Sequence, residues 1–586
     1  MPSSIHFSSR LVLCFAVAVV VAACAPQSAP TASSRGGSAP AAQPRQTKTV
    51  SVAILGDVQG MAITGDSTTA GGWQTINELH TSGLITSDVN SRKPIGRLAE
   101  RVPSFDDNTI SFLPDGRMQV TYALRRNVTW QDGAPFSARD MAFAFQMVAE
   151  GIPPLSRDAY AQMEAVEASD DATLVITYRG PFYLGATLGP RLFWPMPQHL
   201  LKDAFADYQA TKNLEEFLHL PYWTTAYVNT GPFRVSTFEP GIGITFQAYD
   251  GYFLGRPKVD QVRLQTFADQ NALFASLLAG ATDMVVDSAI SNPDIGFQLK
   301  DRWEAASQGT VRIVRGTTWF LAPQWRPNVQ TEVANLDVRV RTGLYHALDR
   351  EALSEGLQGG HSELAAWSIL PEEDANYPAT KDALRAYAYD VARAKAALQD
   401  AGWVAGPDGV LRNTGDGREF RTALTTVAGR DKEVAAFASY WRQVGLAVDE
   451  VTLSAAQTRD SQFRASYPGW ESTAQGGGDS IFGKLEGPIA SAENRWAGNR
   501  GGYDDPEGNA LVGAYRRSIR PEEQLAAVKA ISDFQVRTVP LLILYFTPRF
   551  LGARTGVLAW DDAAGGQEAS VPYGTYTRNA HLWDTQ

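Results

Sequence analysis

The stretch "YALRRNVTWQDGAPFSARDMAFAF" (122–145) decides the fold class of this 586-residue chain. It closes an alternating segment, "QVTYALRRNVTW", whose period of two is that of a half-buried strand. Asp132-Gly133 supplies a tight turn. Ser137 then stands where a helix needs its N-cap, and Asp140 falls in the first turn, near the positive end of the helix dipole. Met141, Phe145 and Val148 recur at helical spacing, and Gly151 lies just past the end. Strand, turn and helix within thirty residues point to an α/β protein.

The same grammar continues on both sides. Ordered structure is expected from "TKTVSVAILG", where Val50, Val52 and Ile54 alternate, followed by a Gly/Thr/Ser-rich loop. "NALFASLLAGATDMVVD" and "KEVAAFASYWRQVGLAVDEVTL" each read as helix, glycine, strand. "VRVRTGLYHALDREALSEGLQGG", "YDVARAKAALQDAGW" and "PEEQLAAVKAISDFQVRTVP" read as helices, the last with Pro521 in its first turn. Strand-rich first and helix–glycine–strand later, the order fits α/β lobes with mixed sheets, and the length calls for more than one lobe.

Composition removes several functions. The net charge of -11 argues against nucleic acid as a partner. The two cysteines are Cys14 and Cys24, so the rest of the chain has no thiol nucleophile, thiolate metal site or disulfide. The seven histidines show neither HxH nor HExxH spacing, and neither a G-x-S-x-G elbow nor a Walker-type loop occurs. Adjacent acids such as Glu372/Glu373 and Asp504/Asp505 point in different directions and read as solvated surface; "GGGDS" (476–480) lacks the basic support a phosphate loop needs. The sequence names no catalytic residue, cofactor or metal ligand set.

The first residues read as an export signal. Arg10 gives the positive end, Leu11 to Ala22 the apolar core, and no later run reaches 18 apolar residues. Val21-Ala22-Ala23-Cys24 resembles the lipobox of bacterial lipoproteins, and the Pro/Ser/Ala-rich residues 25–47 read as a flexible tether. On this reading Cys24 is lipidated and holds a soluble body at a membrane, outside the cytoplasm.

Residues 122–145 also resemble the signature of the bacterial extracellular solute-binding protein family 5, which includes peptide- and nickel-binding proteins of ABC importers. Leu124, Arg125, Asp132, Gly133, Pro135, Ala138 and Asp140 fall in register with it. "NTGPFRV" (229–235), "YDGYFLGRPKVDQVRLQTFADQNALFASLLAGATDMV", "VRTGLYHALDRE", "YDVARAKAALQDAGW" and "GYDDP" (502–506) follow in the family's order. Within these motifs Arg341 and the pair Asp349-Arg350 read as capping or pairing groups, and Trp403 as core.

The resemblance implies a two-lobed periplasmic-binding-protein-like fold with an extra inserted domain and hinge closure over a central cleft. The division it implies is signal 1–23, lipidated Cys and tether 24–48, first lobe 49–82, inserted subdomain 83–226, first lobe again 227–315, second lobe 316–540, and return to the first lobe 541–586. It implies no enzyme and no cofactor. It implies instead a monomeric, lipid-anchored receptor, periplasmic or on the cell surface, that delivers an oligopeptide or similar small solute to ABC permease subunits and their ATPase. By analogy the cleft is lined by Gln59, Gly60 and Met61, by Trp319 and Phe320, and by the segment from Trp470 to Asp479. Peptide binders of the family place an Asp for the ligand ammonium just after Gly-Trp; counted from Gly469-Trp470 that position is Thr473, which leaves Glu471 or Asp479 as substitutes. A sugar-like or chelated-metal ligand, a sensor or chaperone-like module uncoupled from transport, and a hydrolase on the same scaffold are the other readings.

Overall fold

Two strands far apart in the sequence, Gly309–Pro323 and Leu542–Arg554, run antiparallel through the centre of the molecule and organise everything else. In the computed structural model the described residues are 46–586, apart from 59, 62–71, 73–75, 90, 92, 154–156, 287 and 561–574. The central pair belongs to a ten-stranded sheet. On one side it continues through Trp470–Gly476, Arg421–Val427 and Ala447–Leu453; on the other through Met284–Val285, Thr49–Leu55, Gln261–Phe267, Gly243–Ala248 and Phe233–Glu239. Within each half the strand of a helix–glycine–strand unit makes a parallel pair: Met284–Val285 with Thr49–Leu55, and Ala447–Leu453 with Arg421–Val427.

The crossing strands change partners where they pass between the halves. Pairing runs from Gly309↔Arg554 to Arg315↔Pro548, breaks, and resumes at Thr318↔Phe546. In the break the Thr317 and Thr547 hydroxyls bond to each other at 2.6 Å. Such a bulge bends a strand and interrupts its ladder. Val311 and Val314 upstream belong to the apolar clusters of the first half; Trp319, Phe320 and Leu321 downstream belong to those of the second. The fold is therefore a two-lobed α/β architecture whose lobes are stitched by two continuous strands.

The stretch that opened the sequence reading sits in a separate four-stranded sheet, ordered Ile110–Phe112, Met118–Ala123, Thr173–Tyr178, Met163–Asp170. The strand ends at Ala123, earlier than the alternation reads, because Leu124 donates instead to the Ala172 carbonyl and Arg125 turns back to that of Arg97. Gly133 has φ +92°, which the turn requires. The helix covers Ala138–Ala149, and Asp140 explains its start. One carboxylate oxygen accepts from the Ser137 amide at 2.9 Å, and the other accepts from the Gln198 amide, where the helix Gln198–Thr211 begins. Phe143 and Met147 of the first helix join the core of the first lobe, whereas Met141 and Ala144 join that of the small sheet.

"VRVRTGLYHALDREALSEGLQGG", read as one helix, is two, Val338–His346 and Arg350–Leu357, because Asp349 caps the second by accepting from the Ala352 amide. Arg341 and Arg350 are buried and bound to main-chain carbonyls: Arg341 to Thr538 and Val539 after the helix Pro521–Thr538, Arg350 to Ala366, Leu384 and Tyr387. Trp403 is core, 2 % exposed.

Gly477 abuts the crossover: a Cβ there would lie 2.3 Å from the Gly316 carbonyl oxygen. Gly477→Val is expected to push the crossing strands apart and lower stability by about 1–3 kcal/mol, read as a lowered urea midpoint.

Candidate functional site

Parallel α/β sheets present their ligands at the carboxyl ends of the strands, where loops are free to diverge. The alternation of Trp470–Gly476 and Gly309–Pro323 assigns residues to the two faces of the sheet in the second lobe. Trp319 and Trp470 lie on one face. Trp319 is 5 % exposed, stacks on Tyr545 and donates its indole N–H to the Ser472 hydroxyl at 3.1 Å; Trp470 is fully buried against Trp441. Beyond Trp319 the Arg430 guanidinium covers its ring, at the edge of a groove of about 470 Å³ lined by 291–294, Gly356, Leu357 and 429–433.

Phe320, Glu471 and Thr473 lie on the opposite face, around a second, much smaller cavity. Glu471 is 5 % exposed and already paired: its carboxylate accepts from Arg464 Nε at 3.3 Å and from Arg500 Nη2 at 3.1 and 3.3 Å. Thr473 Oγ1 stands 3.4 Å from the same Arg500 nitrogen. An ammonium brought here would meet two guanidinium groups.

Asp479 stands elsewhere on that face. The strand Trp470–Gly476 runs to the lobe boundary, and the 3₁₀ helix Gly478–Lys484 begins there with Asp479 in its first turn. Its Oδ2 accepts from the Tyr183 hydroxyl at 2.9 Å and from the Tyr515 hydroxyl at 3.1 Å. Tyr183 arrives from the segment after the small four-stranded sheet, and its amide bonds to the Arg516 carbonyl at 3.0 Å. Oδ1 carries no hydrogen bond among the described residues. Asp374 completes the group: burial first, and the Asp479 charge second, push its carboxyl up from 3.8 to about 6. Tyr515 is raised as well, by burial and then by the same Asp479 charge. One carboxylate and two phenols thus meet at the end of a strand, with the second oxygen of that carboxylate uncommitted among the described residues and Asp374 near enough to feel its charge.

Of the residues proposed from sequence, Gly60 and Met61 are buried in the first lobe, where the Met61 amide bonds to the Trp223 carbonyl at 2.6 Å. Gln59 and Cys24 lie outside the described residues. Tyr183, Asp374, Tyr515, Lys484, Arg464 and Arg500 were not singled out; they come from four separate stretches, and no spacing links them. Among the described residues no group of three or more His, Cys, Asp or Glu is placed to hold a metal ion, and no helix is long and apolar enough to cross a membrane.

This architecture, two α/β lobes on crossing strands with an additional small sheet, defines a binding protein of the periplasmic type. The profile of the bacterial extracellular solute-binding proteins, family 5, matches residues 93–480, and the chain belongs to that family. Its members bind solutes and are not enzymes. The chain is 27 % identical over 333 residues to the oligopeptide-binding protein AppA of Bacillus subtilis, a match covering 54 % of each protein. A Brucella ovis relative is 25 % identical over 345 residues, 57 % of this chain and 59 % of the relative. The chain thus spans little more than half the length of these curated relatives. The fold is shared along nearly the whole chain with the oligopeptide-binding protein of Thermus thermophilus complexed with a pentapeptide: TM-score 0.68, 20 % identity, 92 % of this chain and 96 % of that one. It is shared equally with NikZ of Campylobacter jejuni in complex with Ni(L-His): TM-score 0.67, 18 % identity, 92 % and 99 %.

The raised Asp374 carboxyl has a measurable sign. A group whose pKa rises on folding contributes stability that is complete below its unfolded value and is lost as pH climbs through the folded value, here between about 4 and 6. Asp374→Asn is expected to flatten that part of the stability profile and to gain about 1–3 kcal/mol at pH 7, measured by urea unfolding across the pH series.

Proposed function

We propose that this chain is the solute-binding component of an ABC importer, that it captures an oligopeptide or similar small solute through an ammonium group at Asp479, and that it delivers the solute to permease subunits and their ATPase. The observation that carries the reading is the uncommitted Oδ1 of Asp479, on a carboxylate held in place by Tyr183 and Tyr515 and accompanied by Asp374. A carboxylate already oriented by two hydroxyls binds an ammonium with little reorganisation, and the entering cation relieves the repulsion between the two acids. Glu471 does not serve this role, because two arginines already occupy it.

Capture and closure are the same event on this reading. Tyr183 stands on the first-lobe side and Tyr515 on the second-lobe side of one carboxylate, so a solute seated there joins the lobes, and the bulge at Thr317 and Thr547 is the place where the strands flex. The lobes divide near residues 315 and 541, with residues 83–226 inserted in the first. The receptor acts as a monomer, periplasmic or at the cell surface, held to the membrane through lipid on Cys24.

Native mass spectrometry of the body expressed without residues 1–24, followed by denaturation, identifies the captured solute. A ladder of peptides or another amine is expected, and Asp479→Asn is expected to weaken its binding about 30-fold or more. Glu471→Gln is expected to cost about 3–5 kcal/mol of stability while the folded fraction keeps its solute. A captured species without a basic nitrogen, or undiminished capture by Asp479→Asn, overturns the reading. For the anchor, labelling of the full chain with a radioactive fatty acid is expected to be abolished in Cys24→Ser.

A further inference from the structure

The small cavity beside Thr473 holds an imbalance of charge that the solute site does not use. Arg464, Arg500 and Lys484 converge there on a single carboxylate, that of Glu471. Arg326 adds a fourth cation at the margin; its guanidinium is satisfied by the carbonyls of Ala465, Ala490 and Arg500, which leave its charge uncompensated. Arg500 spends one terminal nitrogen on Glu471 and Thr473, and its Nε is buried with no partner. The Lys484 ammonium forms no hydrogen bond or ion pair among the described residues, although it lines the same cavity. Burying cations in excess of their counter-charges is costly, and folded proteins otherwise neutralise or pair them.

The geometry points to a binding site for one small monovalent anion of chloride size, held in the second lobe by Lys484, Arg500 and the Thr473 hydroxyl. Size sets the class. The space available to the centre of a water-sized particle is about 10 Å³, room for one particle of about that size. Sign sets it too. A water would satisfy hydrogen bonds and leave the charge in place, whereas a halide accepts from Nζ, the guanidinium and the hydroxyl and brings the cluster nearer balance. Burial, then Arg500, lowers the Lys484 ammonium to about 8, a penalty that a neighbouring anion removes. The site lies where the peptide-binding members of the family, counted from Gly469-Trp470, place an acid; here the surroundings have reversed in charge. It stands independently of the solute reading, since none of its groups contacts Asp479.

The test compares thermal unfolding of the body lacking residues 1–24 in sodium chloride and in sodium methanesulfonate, whose anion is bulkier than chloride, at equal ionic strength. The Tm is expected to rise only in chloride, by about 1 °C per tenfold increase at concentrations above the Kd. Lys484→Met is expected to abolish that difference, and the surface variant Lys395→Met to retain it. Should Lys484→Met fail to fold, chlorine NMR of the unaltered protein provides the second measurement: excess line broadening that bromide displaces and methanesulfonate leaves intact. Equal Tm values in the two salts, an undiminished chloride response in Lys484→Met, or broadening that methanesulfonate also removes, overturns the proposal.

Discussion

Everything in this molecule hangs on the antiparallel pairing of Gly309–Pro323 with Leu542–Arg554. These strands are the only members of the large sheet that belong to the cores of both lobes among the described residues. Upstream the ladder is continuous from Gly309 to Arg315; the irregular geometry is confined to the shifts at Arg315/Thr318 and Trp319/Phe320. Two register shifts within a few residues weaken the ladder just where the strands pass from one core to the other. The absence of a Cβ at Gly477, packed against the Gly316 carbonyl, keeps the loop at the strand end close to that point.

The carboxylates on one face of the second lobe show how environment assigns roles to identical chemistry. Glu471 is enclosed by guanidinium groups and works as an internal counter-ion. Asp479, beyond the far end of the same strand, is addressed by hydroxyls through one oxygen and leaves the other without a hydrogen bond among the described residues. Asp374, beside it, is raised because burial and a like charge both disfavour ionisation. Cation-rich and acid-rich regions thus sit at the two ends of one short 3₁₀ helix, Gly478–Lys484.

Local structure was legible in the sequence to the extent that it is locally caused. The turn at Asp132-Gly133, the start at Ser137 and Asp140, and the helix–glycine–strand units follow from residues within a few positions of one another, and the family's motifs lie in just those places. The division of "VRVRTGLYHALDREALSEGLQGG" hinged on whether Asp349 continues a helix or caps a new one, and its side chain caps. The site was less legible for a physical reason. Trp470 begins a strand that runs to Gly476, so Glu471 and Thr473 lie within it and Asp479 lies beyond its carboxyl end, a placement that the count from Gly469-Trp470 does not contain. Tyr183 and Asp479, 296 positions apart, are joined only by the tertiary fold.

The order of the strands has a consequence for how the protein is made. Met284–Val285 in the first lobe and Gly309–Pro323 in both lobes take their partner from residues 542–554, more than 200 positions later. The large sheet cannot close while that strand is still on the ribosome. Loop closure over such distances is slow, so the central sheet remains open through most of the chain's synthesis. Stable folding is thereby postponed until nearly all of the chain has been made.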